Sequence, residues 1–148
     1  MVMLAAFLVG LITGARTFLA LALISGYALF IAPKVVIAPF SWLGNLWAFA
    51  PLAVLAALEL WADKRPQTPS RTQTPGLIAR LAAGALAGAA LGGLWAMLVG
   101  VIGAAAGTYG CAHLRGWASK CLGTDLRAAL TEDLLAASGA LLVLACLV

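Results

Sequence analysis

Residues 59–80 read ELWADKRPQTPSRTQTPGLIAR, and the rest of the chain takes its meaning from them. The stretch opens at the end of an apolar run with Glu59 and Asp63, four residues apart. On a helix they share one face and are placed to hold a proton or cation jointly. Lys64 and Arg65 follow and close the helix. Pro66, Pro69 and Pro75, interleaved with Gln, Thr and Ser, then make the chain non-helical and semi-rigid. Long apolar runs lie on both sides. A polar strap at residues 63–80 between two such runs predicts an all-α protein, a bundle of transmembrane helices joined here on the cytoplasmic side.

Composition agrees. Of 148 residues, 64% are hydrophobic and 9% are charged, against about one quarter charged in a soluble domain. Such a chain cannot cover a water-facing surface, so a single integral membrane domain, residues 1–148, is expected. The formal charge of +4 is modest. Its basic residues border apolar runs, which suits the cytoplasmic leaflet of a bilayer and argues against nucleic acid as a partner. The three cysteines, Cys111, Cys121 and Cys146, form no CxxC pair and read as buried small apolar residues. The N-terminus lacks the positive region of a secretory signal and reads as a retained membrane segment.

Residues 2–32 carry one charge, Arg16. They exceed the roughly twenty residues needed to span a bilayer. A break or re-entrant turn is expected at Thr13-Gly14-Ala15-Arg16-Thr17, with Arg16 facing a polar cavity or a carboxylate, because an intramembrane arginine is costly. A second span is expected at residues 42–62, with Trp42 and Trp47 as interface anchors and Pro51 as a kink. Residues 81–112 read either as one tilted span or as a hairpin turning near Gly92-Gly93. The positive-inside rule favours the hairpin, since it keeps both flanking basic segments on one side. Gly84, Gly88 and Gly92, and again Gly103 and Gly107, recur every four residues and give each arm a smooth face for close helix contact. The last span starts near residue 128, with Thr131 as N-cap and Glu132 and Asp133 in its first turn. The total is four to five spans.

Two further readings concern the polar residues. If both polar segments lie on the cytoplasmic side, Glu132 and Asp133 enter the bundle where Glu59 and Asp63 leave it. The four carboxylates then converge, opposed by Arg71, Arg80 and Arg16, either as a functional cluster or as a structural ion-pair network. In addition, Leu8-Val9-Gly10-Leu11-Ile12 with Thr17-Phe18 echoes Leu98-Val99-Gly100-Val101-Ile102 with Thr108-Tyr109. With three spans between the copies, the echo suggests an inverted repeat of the kind found in transporters.

Gly14-Ala15-Arg16-Thr17-Phe18, Glu59 with Asp63-Lys64 and Pro66, Pro69-Ser70-Arg71, the glycine-rich run to Gly107-Thr108, and Glu132-Asp133 together resemble the pattern of the bacterial membrane family DUF4126. The resemblance covers nearly the whole chain and is most specific at residues 59–71. It implies a multi-pass protein of the bacterial inner (cytoplasmic) membrane and carries no established activity.

The expected function is therefore a small transporter or channel for an ion or small solute. Arg16, Glu59, Asp63, Lys64, Arg71, Glu132 and Asp133 are its candidate transport or ion-binding residues, and no cofactor is required. Small size implies a homo-oligomer, with the glycine faces forming part of the interface. One alternative is a membrane-embedded enzyme acting on a lipid phosphate, in which paired carboxylates hold magnesium and Arg71 and Arg80 receive the phosphate. Its weakness is the absence of an obvious nucleophile or base, since His113 is the only histidine and reads as an interfacial polar residue. The other alternative is a membrane scaffold subunit without chemistry.

Overall fold

Apolar runs broken at Arg16, in the proline-containing connector after Phe30 and at Gly92-Gly93 give helices whose ends are set by those breaks. The computed structural model describes residues 1–62, 74–122 and 125–147, with backbone alone for 115–122 and 125–128. The described residues are helical, with no strand: α1 (Val2–Ala15), α2 (Thr17–Phe30), α3 (Leu46–Ala62), α4 (Thr74–Leu122) and α5 (Asp125–Ala145). Two short 3-10 turns, Pro33–Val35 and Ala38–Gly44, connect α2 to α3.

The helices run alternately up and down. In α4 the backbone leaves helical geometry at Gly92 (φ −158°, ψ 19°) and Gly93 (φ 76°, ψ −155°). The chain folds back there into two arms, residues 74–91 and 94–122. Gly88 lies against the Ala96 carbonyl, and a Cβ on Gly84 would stand 2.6 Å from the Ala104 Cβ, so the arms pack antiparallel in register about the turn. The hairpin expected from the glycine pair is the observed arrangement. Gly93 makes the turn because its positive φ with extended ψ belongs to a region essentially reserved for glycine.

α1 lies in the groove between the arms. Gly10 abuts the Gly100 carbonyl, Gly14 abuts the Ala104 carbonyl and Gly107 abuts the Leu11 carbonyl, so α1 runs parallel to the second arm. Val2 packs at Gly92, at the turn. α2 then reverses direction. It packs antiparallel to α3, with Gly26 against Phe49 near one end and Thr17 bonded to Glu59 near the other. The connector after α2 returns to the hairpin turn, where the Ile37 N–H donates to the Ala90 carbonyl at 2.9 Å. Ser25 ties down the next turn by donating its hydroxyl to the Leu43 carbonyl. α5 runs antiparallel to α1, with Gly139 at Ile12 and Asp133 at Arg16. The expected break in the first segment is thus a reversal of direction: α1 and α2 both have their outer ends at the Gly92-Gly93 end and meet at Arg16.

Several expectations are corrected. The two echoing segments lie side by side in the same direction, whereas an inverted repeat would set them antiparallel. The glycine stripes are filled within the chain: Gly84, Gly88 and Gly100 serve the hairpin, while Gly10, Gly14, Gly103 and Gly107 serve the α1 contact, so they are not available as an oligomer interface. The helix expected from residue 42 starts at Leu46, since residues Ala38–Gly44 form a separate 3-10 turn bent by 64° from α3. α5 begins at Asp125, so Thr131 lies in its second turn and does not cap it. Cys146 is exposed and Cys111 only partly buried, so neither is the buried apolar residue expected.

By length and composition the run Thr74–Leu114 is long and apolar enough to cross a membrane, and so is the bent pair Ala38–Gly44 and Leu46–Ala62 if taken as one span; the fold-back at Gly92-Gly93 divides the first run between two arms. α1 and α2 are apolar but have 14 residues each, about 21 Å at the α-helical rise.

Candidate functional site at the broken first helix

Arg16 is the single residue between α1 and α2, with extended backbone (φ −139°, ψ 103°). A break in mid-bundle creates two helix ends away from water: carbonyls with partial negative charge at the end of α1, and N–H groups with partial positive charge at the start of α2. The surrounding elements answer both.

Glu59 reaches in from the last turn of α3. Its Oε1 accepts the Thr17 N–H at 2.7 Å and its Oε2 accepts the Phe18 N–H at 2.9 Å. A carboxylate thereby caps the N-terminus of α2 from another helix, supplying both the acceptors and the negative charge that this end favours. At the other end, the Arg16 N–H donates to the Ile12 carbonyl at 2.7 Å. The Thr108 hydroxyl donates to the Ala104 carbonyl at 2.8 Å and lies 3.4 Å from the Gly14 carbonyl. Thr13 is satisfied locally, donating to the Gly10 carbonyl at 2.6 Å.

The Arg16 side chain is 1% exposed, the largest fully buried side chain among the described residues. Its Nη2 pairs with Asp133 Oδ1 of α5 at 2.5 Å. The junction thus draws on every long helix: Arg16 between α1 and α2, Glu59 on α3, Thr108 on α4 and Asp133 on α5. α4 continues past Thr108 to Leu122 and α5 begins at Asp125, before Asp133. About four turns of α4 and two of α5 therefore extend beyond the level of the junction.

Of the sequence-predicted residues, the structure brings Arg16, Glu59 and Asp133 together. Glu132 is half-buried beside Asp133, and Arg80 is half-buried on the first arm of α4. Asp63, Lys64 and Arg71 lie outside the described residues. The Glu59 carboxylate faces the α2 backbone, and the joint site with Asp63 read from their spacing lies partly outside the described residues. His113 is exposed. Among the described residues no group of three or more His, Cys, Asp and Glu side chains is placed to hold a metal ion. Sequence reasoning missed Thr108 as a junction residue. The available signal was its place at the end of the small-residue series Gly100, Ala104, Thr108, where a hydroxyl interrupts a packing stripe at four-residue spacing.

Fold and site together define an all-helical bundle in which a discontinuous helix is closed by side chains from its neighbours. The chain belongs to the family described as domain of unknown function (DUF4126), whose model matches residues 3–147. No curated protein and no solved structure matches it.

Proposed function

We propose that this chain is a multi-pass protein of the inner (cytoplasmic) membrane that carries an ion or small solute along the α1–α2 junction, with Glu59 and Asp133 as its working carboxylates. Support for the membrane setting comes from the surface. Large apolar side chains are exposed along the helices, among them Leu58, Leu98, Ile102, Leu134 and Leu142, a coat that lipid accepts and water does not. Trp42, Trp47 and Trp95 are exposed toward the Gly92-Gly93 end and Trp61 toward the other, as tryptophans at two bilayer interfaces would be.

One observation carries the transport reading: a helix unwound inside an apolar bundle, its N–H groups held by the Glu59 carboxylate beside a buried arginine. Discontinuous helices with charged groups at their half-helix ends are where transporters bind ions and solutes. In the resting arrangement Glu59 is held by α2 and Asp133 by Arg16. A solute that replaces one of these partners releases a carboxylate and frees α3 or α5 to shift against the α1–α2 hairpin. Binding and movement are then the same event.

The test is flux in proteoliposomes, over a panel of cations, protons and small anions, for the native protein and for folded Glu59→Gln, Asp133→Asn and Glu132→Gln variants. Flux in the native protein that is lost in Glu59→Gln and Asp133→Asn is the expected result. Native flux that survives both substitutions removes the carboxylates from the mechanism. A second reading, a scaffold whose charges only lock the helices, is favoured by the engagement of both Glu59 oxygens. It predicts that substitutions at the junction change stability and leave no transport phenotype to find.

A further inference from the structure

We propose that the Arg16 end of the bundle meets the anionic lipid of the cytoplasmic leaflet, so that Met1, Lys34, the Gly92-Gly93 turn and residue 147 all face the opposite side. The inference rests on the membrane reading above and is independent of whether a solute is carried.

Helix directions place the charges. Val2 packs at the Gly92-Gly93 turn, while Gly14 packs beside Thr108, so α1 starts at the turn end and finishes at the Arg16 end. α2 returns to the turn end, and its connector, containing Lys34, is anchored there through the Ile37 N–H and Ala90 carbonyl. α3 comes back, ending three residues after Glu59. The first arm of α4 leaves the Arg16 end, since Gly84 packs near Thr13 and Gly92 at Val2. The second arm comes back and continues to Leu122. α5 leaves again, from Asp125 through Asp133 at Arg16 to Gly139 at Ile12.

Consequently the chain connections at the Arg16 end are those between Ala62 and Thr74 and between Leu122 and Asp125. In sequence, Lys64, Arg65 and Arg71 fall in the first, while Arg80, Arg115, Lys120 and Arg127 lie on the helix ends that flank the two. Among the described residues Lys34 is the one lysine or arginine at the turn end, and it is exposed. Lysine and arginine near span ends set orientation, and anionic lipid holds them at the cytoplasmic surface. The asymmetry of the fold and that of the charge therefore name the same side. The positive-inside rule already favours one side for the two basic segments; the helix directions add that Lys34, the Gly92-Gly93 turn and residue 147 lie at the other end.

The test uses membrane-impermeant maleimide on spheroplasts and on inverted vesicles from bacterial cells expressing the full chain. Lys34→Cys and Ser70→Cys are introduced separately after Cys111, Cys121 and Cys146 are replaced by alanine. The expected result is reaction of Lys34→Cys in sealed spheroplasts and of Ser70→Cys in inverted vesicles only. The reverse pattern, reaction of both from one side, or failure of Lys34→Cys to react from either side overturns the proposal. Should the cysteine-free chain fail to fold, trypsin on the unaltered protein replaces it. Cleavage between residues 64 and 72 is expected in inverted vesicles and not in spheroplasts; cleavage in spheroplasts, or protection from both sides, overturns it. Carbonate extraction separates the two ideas: release of the chain from membranes defeats the membrane reading itself, while retention with reversed labelling defeats only the orientation.

Discussion

Arg16 lies where almost no solvent reaches, and it forms an ion pair there with Asp133. Removing one partner of a buried ion pair costs about 3–5 kcal/mol, whereas replacing both with apolar groups removes the desolvation burden as well. Arg16→Met and Asp133→Leu are each expected to lower the unfolding midpoint in detergent strongly, and the double variant to recover much of the loss. Simple addition of the two losses in the double variant would show that the ion pair is not the coupling. Glu59 contributes differently. Its capping of Thr17 and Phe18 is worth about 0.5–2 kcal/mol by comparison with helix N-caps. Glu59→Gln, which keeps one acceptor oxygen but loses the charge, should fall short of the loss in Glu59→Ala in the same unfolding measurement. That Arg16 would sit at a break beside a carboxylate was legible from the residue alone, because a lone arginine in an apolar run has few tolerable settings. That Glu59 would bond to backbone was not, because the two N–H groups it accepts are orphaned only once α2 starts at Thr17.

At the scale of the helix, the glycines make a graded experiment. Gly107 lies against the Leu11 carbonyl, while nothing stands within 4 Å of where a Cβ on Gly110 would be. Gly107→Ala must push α1 away from the second arm and should cost about 1–3 kcal/mol, the range for overpacking. Gly110→Ala meets no obstacle and should be neutral or stabilising by up to about 1 kcal/mol through helix propensity. Thermal unfolding of the two variants side by side checks the α1 contact. Gly93→Ala, at φ 76°, should cost about 1–3 kcal/mol through backbone strain alone. The hairpin was legible because two adjacent glycines interrupted a run too long for one upright span. The partner of each glycine stripe was not: four-residue spacing declares a smooth face but does not say whether the face is filled from the same chain or from another.

For the whole molecule, the intramolecular use of the glycine stripes changes what an oligomer would look like. If copies associate, the exposed apolar surfaces of α3 and α5 are available for it, and Gly107→Ala should weaken the fold of each copy without selectively dissociating copies. Cross-linking in detergent beside the unfolding measurement distinguishes the two effects. The helical class and the position of the main breaks were readable from apolar runs and their interruptions. The direction of α1 was not, since the break expected at residues 13–17 left open whether the chain carries on or turns back, and it turns back at Arg16. That one reversal makes the echoing segments parallel and removes the inverted repeat.

The parallel seat of α1 also has a consequence in time. Its carbonyls and glycines match those of the second arm of α4, with Gly10 against Gly100 and Leu11 against Gly107, so α1 waits for a partner made some ninety residues later. At ribosomal speeds of about 5–20 residues per second, that wait lasts roughly 5–18 s. During this interval α1 is a short apolar helix without its groove. Seating of α1 thus depends on a segment made well after it, and until that groove exists the buried arginine that follows α1 has no finished site to enter.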